Sequence, residues 1–153
     1  MTVEIIPAYG YIKEIRELFT EYAAWIGSDL AFQNFSTELK TLPSSYALPE
    51  GRLYIALAEG VPAGCIALKK LDSERCEMKR LYVRPSFRNN GIGNELVSII
   101  IDEAKKIGYR HMLLDTLTTF EKAVSIYRQR GFCETEPYCT NPWDNVIYLK
   151  LDL

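Results

Sequence analysis

The sequence predicts a mixed α/β fold of the α+β class, in one domain that spans residues 1–153. Two observations predict it. Strand-like segments follow one another directly in the first half of the chain, and in the second half they alternate with amphipathic helical segments. The predicted order is β-α-α-β-β-β-α-β-α-β-β, with antiparallel hairpins first and a crossover helix later. A chain of 153 residues has the usual length of one domain.

The first half is predicted to contain one strand, two helices and a three-stranded unit. Apolar residues recur at helical spacing before Gly27, and the Glu59-Gly60 turn between two apolar runs indicates a hairpin. Two prolines, two serines and a glycine indicate a loop before this hairpin. The segments are 2–7 (strand), 11–26 and 32–42 (helices), 42–51 (loop), and 53–58, 63–71 and 75–83 (strands).

The second half contains the clearest helix of the chain. Its apolar residues share one face, Lys105 and Lys106 stand in its last turn, and Gly108 follows, which is favourable C-terminal chemistry. A short apolar strand, a second helix ending at Gly131 and two final strands complete the chain. These segments are 92–107 and 120–130 (helices) and 111–116, 132–136 and 146–151 (strands).

Composition excludes several classes of partner and site. A net charge of -2 and a pI near 5.5 provide no global positive field for nucleic acid or anionic lipid. No apolar stretch reaches the roughly 18 residues of a membrane span, and residues 1–7 carry no signal-peptide pattern. We therefore expect a cytoplasmic protein that binds neither nucleic acid nor membrane.

The cysteines predict free thiols and no metal site. Cys65, Cys76, Cys133 and Cys139 form no C-x-x-C pair, and the chain has a single histidine, His111. One alternative is a disulfide between Cys65 and Cys76 across neighbouring strands. His111 begins a strand and is expected to be a partly exposed edge residue.

Residues 83–93, with the sequence VRPSFRNNGIG, predict an anion-binding site. Pro85 ends a strand, and Gly91 and Gly93 stand at the mouth of the amphipathic helix. A helix N-terminus offers unpaired N–H groups and partial positive charge, and glycines let a phosphate approach the backbone. The segment is neither a Walker loop nor a dinucleotide fingerprint, since Leu96 stands where the third glycine belongs. A tight turn into the helix is the alternative explanation.

The same segment resembles motif A of the GNAT acetyltransferases, Arg/Gln-x-x-Gly-x-Gly/Ala, through Arg88, Gly91 and Gly93. The preceding LYVRP and the later AVSIYRQRGF (residues 123–132) also resemble the family, and the likeness covers residues 53–132 well. It implies the GNAT-type acyl-CoA N-acyltransferase fold, a mostly antiparallel mixed sheet flanked by helices. Before residue 53 the likeness rests on element order alone.

The resemblance also implies that acetyl-CoA is the acyl donor, wedged between two diverging parallel strands, those of Leu81 and Leu113. Backbone groups of Leu81 and Val83 would bind the pantetheine arm as an added strand. The chain departs from the family at Phe120, where an asparagine often contacts the cofactor. The predicted pyrophosphate-binding N–H groups belong to Arg88, Asn89, Asn90, Gly91, Ile92, Gly93 and Asn94.

The resemblance places two residues in catalysis. Tyr127 would lie near the CoA sulfur as general acid, and Glu77, eleven positions before Arg88, would be the base. A phenol titrates near 10 and a thiol near 8.5, so Tyr127 is expected to donate a hydrogen bond more than to complete a proton transfer. The alternatives are ordinary packing for Tyr127, a surface ion pair for Glu77, and water as the proton acceptor.

The expected reaction is direct transfer of acetyl from acetyl-CoA to a primary amine of a small molecule, in a ternary complex without metal. Four aromatic residues could line the acceptor pocket or form core, and Asn141 could contact the acceptor or make a turn. The alternatives are a protein or peptide acceptor, or an acyl-CoA sensor without turnover. The chain is expected to be a monomer or a homodimer. The aromatic residues are Tyr22, Trp25, Phe32 and Phe35.

Overall fold

The computed structural model describes residues 1–27 and 34–153, which form a seven-stranded sheet with helices on both faces. The predicted fold class and element order are confirmed. The strands are β1 (Val3–Pro7), β2 (Arg52–Ala58), β3 (Val61–Lys70), β4 (Arg75–Val83), β5 (His111–Leu117), β6 (Cys133–Glu134) and β7 (Val146–Asp152). The α-helices are α1 (Ile12–Ile26), α2 (Phe35–Thr41), α3 (Ile92–Ile107) and α4 (Glu121–Gln129).

The helix α3 and the strand β4 have their predicted bounds, and the other elements differ from theirs by one to three residues at one or both ends. The change in length is largest for β6 and α2. The strand predicted at 132–136 is shortened to Cys133–Glu134; the N–H of Thr135 still donates to Tyr148 O, but Pro137 has no N–H to extend the ladder. The helix predicted at 32–42 is present as α2, while its first residues, with Phe32, lie outside the described residues. The predicted loop 42–51 contains one short 3₁₀ turn, Ser44–Tyr46, whose Tyr46 is fully buried.

The strand order is β1-β2-β3-β4-β5-β7-β6, and α3 connects β4 to its parallel neighbour β5. All other neighbours are antiparallel. The β4–β5 pairing starts at Arg75↔His111 and ends at Glu77↔Leu113, although β4 continues to Val83 and β5 to Leu117. The two strands therefore diverge into the wedge that the resemblance implied.

A β-bulge interrupts β4 where this divergence begins. Lys79 pairs with Ala67 and Tyr82 with Cys65, so three steps of β4 face two steps of β3. Arg80 occupies the left-handed region at φ +63°, which is uncommon for a residue with a side chain.

The bulge shifts the alternation of side chains by one residue. Before it, Cys76 and Met78 belong to the core on the α3 face; after it, Leu81 and Val83 pack against that same core. Tyr82 lies on the opposite face, with α1.

Each face of the sheet carries its own hydrophobic core. Apolar residues of α3 pack on one face together with Tyr127 and Phe132, and those of α1 pack on the other with Tyr46. The buried α3 residues are Ile92, Leu96, Val97, Ile100, Ile101 and Ala104, and the buried α1 residues are Ile15, Leu18 and Phe19.

All four cysteines are free thiols. Cys65 and Cys76 lie in the two different cores, on opposite faces of the sheet, so the alternative disulfide between them is wrong. Within residues 1–27 and 34–153, no cluster of three His, Cys, Asp or Glu side chains is arranged to hold a metal ion. Over the same ranges, every helix is too short or too polar to cross a membrane.

Candidate active site

An open cleft of about 750 Å³ occupies the place where β4 and β5 diverge, between the start of α3 and the start of α4. Nearly all of the residues predicted to bind the acyl donor line it. The exception is Asn90, whose side-chain amide turns back on the loop and donates to the carbonyls of Phe87 and Arg88 at 3.1 and 3.2 Å. The predicted residues that line the cleft are Leu81, Val83, Arg88, Asn89, Gly91, Ile92, Gly93 and Asn94.

The loop before α3 presents backbone donors to this cleft. Asn89 and Gly91 both have positive φ, +67° and +78°, and Gly91 caps the helix without a side-chain hydrogen bond. The first backbone bond of α3 runs from Glu95 N–H to Gly91 O at 3.1 Å, so the N–H groups of residues 92–94 precede the helical ladder. A Cβ on Gly91 meets no atom within 4 Å, because this position faces open space. The arrangement suits an anion with several oxygens.

Arg88 adds a positive charge to the same cleft. Its Nε donates to the carbonyl of Val83 at 2.8 Å, and its guanidinium stands 4.7 Å above the Trp25 ring. Its Nη2 atom is buried, yet it has no hydrogen-bond partner among the described residues. A buried donor without a partner costs free energy, and a phosphate oxygen in the cleft would satisfy it. Lys122 of α4 also lines the cleft and donates to the side chain of Asn89.

The edge of β4 supplies main-chain groups. The N–H of Arg84 donates to Ala63 of β3 at 2.8 Å, and backbone direction alternates along a strand. The N–H groups of Val83 and Leu81 therefore point away from β3 and toward the gap. One lone pair of the Val83 carbonyl is already used by Arg88.

A smaller cavity of about 50 Å³ continues from the cleft toward the α1 face of the sheet. It shares Trp25, Leu81, Phe120 and Ala123 with the cleft. Besides Leu81, four residues that the sequence analysis named for catalysis or the acceptor pocket line this cavity together, and they are Tyr22, Trp25, Tyr127 and Asn141.

Tyr127 reaches this cavity from α4. Its side chain is 5% exposed and its ring lies 5.7 Å from that of Phe132. Burial, with smaller contributions from Tyr22 and Asp115, raises the pKa of the Tyr127 hydroxyl well above its usual value of 10. The hydroxyl therefore stays protonated at neutral pH and acts as a hydrogen-bond donor.

Asp115 of β5 is a cavity residue that the sequence reasoning missed. Asn141 donates to its Oδ2 at 2.9 Å, and the Cys139 thiol lies 3.8 Å from the same oxygen. Burial and the charge of Asp115 raise the pKa of the Cys139 thiol to about 11. The available signal was a carboxylate in an otherwise apolar strand, parallel to the strand that leads into the glycine motif.

Glu77 lies outside both cavities, at the last paired position of β4 and opposite Leu113. It is 5% exposed, accepts a 2.7 Å hydrogen bond from the Tyr138 hydroxyl, and has Lys69 Nζ 3.9 Å from Oε1. Burial and the adjacent Glu77 raise the pKa of Tyr138 far above its usual value. The structure therefore joins Glu77 to the segment that follows β6.

An aromatic stack lies at the boundary between the cleft and the cavity. Phe120, the residue before α4, lies parallel to Trp25 of α1, with ring centroids 4.4 Å apart and planes 6° apart. Phe120, where the family often has asparagine, thus contributes an aromatic face. Phe35 packs instead against the guanidinium of Arg80, 5.3 Å away, and joins the α1-side core.

Two ion pairs fasten α1 and α2 to β4 beside the cavity. Arg80 at the bulge makes two hydrogen bonds of 2.9 Å to Glu38 of α2, and the pair is almost fully buried. Arg84 binds Glu21 of α1, with the shortest contact at 2.7 Å. At the opposite end of the sheet, His111 is half-buried and its Nδ1 lies 2.7 Å from Asp152.

The sequence model described as Acetyltransferase (GNAT) family matches residues 12–132. The chain belongs to this family. As a GNAT acetyltransferase, it is an acyltransferase enzyme.

Two similar proteins are named as N-acetyltransferases. An uncharacterised N-acetyltransferase of Schizosaccharomyces pombe is 42% identical over 93% of this GNAT chain and 88% of its own. Another, of Dictyostelium discoideum, is 34% identical over 100% of both chains.

Solved structures confirm the GNAT fold. A GNAT-family acetyltransferase of Staphylococcus aureus has a TM-score of 0.81 at 22% identity and covers 99% of both chains. A structure from Salmonella typhimurium, described as a putative acetyltransferase with its cofactor acetyl-CoA, has a TM-score of 0.72 at 18% identity and covers 99% of this chain and 94% of its own.

Proposed function

We propose that this GNAT acetyltransferase binds acetyl-CoA in the open cleft and transfers its acetyl group directly to a primary amine of a small molecule. One observation carries the proposal. A wide cleft with phosphate-type donors leads, past Leu81, into a small cavity that contains Tyr127 and Asp115. A donor bound along β4 would place its reactive end between these two spaces.

The cleft fits the diphosphate and the arm of CoA. The N–H groups of residues 92–94 and the Nη2 atom of Arg88 offer donors to phosphate oxygens. The free edge of β4 at Leu81 and Val83 offers main-chain groups to the amides of pantetheine. The acetyl-CoA of the Salmonella structure is consistent with this use of the fold.

The transfer forms a C–N bond and breaks the C–S bond of the thioester, while the amine loses a proton and the departing sulfur gains negative charge. The Tyr127 hydroxyl donates a hydrogen bond to that sulfur, because its raised pKa keeps it protonated. A protonated amine titrates near 10.4 and cannot attack, so a proton acceptor is required. We assign this role to Glu77, and because its side chain lines neither the cleft nor the cavity, water would carry the proton from the amine to it.

The small size of the cavity supports a small acceptor. A cavity of about 50 Å³, bounded by Tyr22, Trp25 and Trp143, suits a compact amine better than a peptide segment. The N-terminal helix α1, which supplies two of these rings, covers the site on this side.

The experiment has two measurements. Calorimetry measures the binding of CoA and acetyl-CoA, and a thiol-release assay then presents acetyl-CoA with amino acids, polyamines, aminoglycosides, arylalkylamines and peptides. We expect binding of both nucleotides, and release of CoA only with one class of small amines. Absence of CoA binding would refute the donor site. CoA binding without turnover on any amine would favour an acyl-CoA sensor. Turnover on peptides alone would show that the acceptor is a protein or peptide.

A further inference from the structure

Among the described residues, the wall of the cavity beside Tyr127 contains one carboxylate, that of Asp115. This residue lies on β5 beyond Leu113, the last position that pairs with β4, so its backbone belongs to the part of β5 that diverges from β4. Asn141 donates to Oδ2 at 2.9 Å and so fixes the orientation of the carboxylate. Tyr22 and Tyr127 line the same cavity, and the charge of Asp115 contributes to the raised pKa of both hydroxyls.

The rest of the wall is predominantly aromatic. Five rings from the described part of the chain line the cavity, and two of them, Trp25 and Phe120, are stacked on each other. Aromatic faces and a carboxylate together form the usual surroundings of a bound ammonium group, because the faces carry negative charge density and the carboxylate supplies the full charge. The five are Tyr22, Trp25, Phe120, Tyr127 and Trp143.

Two cationic side chains of the described residues, Lys79 and Arg80, also line the cavity. Arg80 is neutralised by its two hydrogen bonds to Glu38. Lys79 interacts electrostatically with Asp115, and its pKa is lowered by burial and by Arg80. An acceptor ammonium would therefore compete with Lys79 for Asp115.

We propose that Asp115 binds the ammonium group of the acceptor, and that the acceptors are primary amines carried on a small apolar or aromatic body. This inference rests on the proposed function, since the amine that Asp115 positions is the one that receives the acetyl group. Asp115 is the binding group and Glu77 the proton acceptor, so the two carboxylates have separate tasks on neighbouring strands. Asn141, which the sequence placed near the acceptor, acts through Asp115.

The test measures charge recognition separately from turnover. The protein saturated with CoA is titrated by calorimetry with 2-phenylethylamine and with 2-phenylethanol, which have the same shape but differ in charge. The variants are Asp115→Asn, Asp115→Glu and the matched control Asp152→Asn, which removes an exposed carboxylate from β7. The CoA affinity of every variant reports whether the fold and the donor site are intact.

We expect the wild type and Asp152→Asn to bind the amine at least about tenfold more tightly than the alcohol. In Asp115→Asn the two affinities should become equal within about twofold, with unchanged CoA affinity, and Asp115→Glu should keep part of the preference. An unchanged preference for the amine in Asp115→Asn would overturn the inference. So would tighter binding of phenylalanine than of 2-phenylethylamine, since the acceptor would then need a carboxylate.

These outcomes can be distinguished from a failure of the proposed function. If CoA binds but the thiol-release assay detects no turnover, the proposed acetyl transfer is refuted. The ratio of the amine and alcohol affinities still tests the role of Asp115. Conversely, an active enzyme whose amine preference does not depend on Asp115 keeps its function and loses only this assignment.

Discussion

Replacing Tyr127 by phenylalanine is the sharpest test of the proposed chemistry. The ring is 5% exposed and packs against Phe132, so the phenylalanine ring should occupy the same place. Only the hydroxyl is lost. Ground-state binding of acetyl-CoA should therefore persist, and the loss should appear in kcat.

The magnitude follows from the acidity of the two groups. A free phenol is about 1.5 pKa units weaker as an acid than a thiol, so a complete proton transfer to the thiolate is uphill by about 2 kcal/mol. Burial raises the pKa of Tyr127 further and makes the transfer still less favourable. A hydrogen bond to developing charge remains, and removing one such donor costs roughly 3 kcal/mol, or about a hundredfold in kcat.

The assay is steady-state kinetics with the acceptor that the amine panel identifies, across about pH 6 to 9. Because the pKa of Tyr127 is raised, its hydroxyl is protonated throughout this window, and the ratio of wild-type to variant kcat should not change with pH. If the kcat of the variant is within about twofold of the wild-type value, Tyr127 has only a packing role. A ratio that falls toward alkaline pH would show a titrating tyrosine and refute the argument from burial.

Three further predictions concern the cleft, the thiols and the bulge. Gly91→Val should weaken CoA binding at least about tenfold by calorimetry, whereas Gly60→Val, which imposes the same positive-φ strain at +79° in a distant turn, should not; equal affinities would refute the phosphate cradle. Replacement of all four cysteines by alanine should preserve acetyl transfer, and an acetylated cysteine trapped by mass spectrometry would contradict direct attack. Glu38→Gln should lower the free energy of unfolding, measured by urea denaturation, by about 3 kcal/mol or more, because it leaves the buried charge of Arg80 without its partner. The double variant Glu38→Leu with Arg80→Met should recover most of this loss, because it removes both charges. A full-sized loss in that double variant would show that packing, and not charge, holds the two elements together.

Local patterns were sufficient for much of the fold. The helix predicted at 92–107 is α3 with the same bounds, and the strand predicted at 75–83 is β4 with the same bounds. In both cases one apolar face and clear end signals act over a few neighbouring residues, so no distant contact is needed to explain them. The glycine-opened helix entry was predicted for the same reason, since its chemistry is local to residues 88–94.

The acceptor side could not be predicted in the same way, because distant segments assemble it. Asp115 meets Asn141 only after β5 and the segment before β7 come together. The stack of Trp25 on Phe120 joins residues that lie far apart in the sequence. Glu77 was placed by its position relative to Arg88, but its environment depends on Tyr138, which enters from the segment after β6. The residues of such a site are visible in the sequence, while their neighbours are not.

The bulge at Arg80 makes β4 a strand with two phases. Positions 76 and 78 face α3 before it, and positions 81 and 83 face α3 after it, so a strict alternation of polar and apolar residues is absent from the strand as a whole. Deleting one residue at the bulge would restore a regular ladder to β3 and turn every later side chain of β4 to the other face. The strand therefore tolerates a substitution more readily than an insertion or a deletion. Relatives that keep this wedge are expected to differ in residue type along β4 but to keep the same number of residues between the β2–β3 hairpin and the glycine motif.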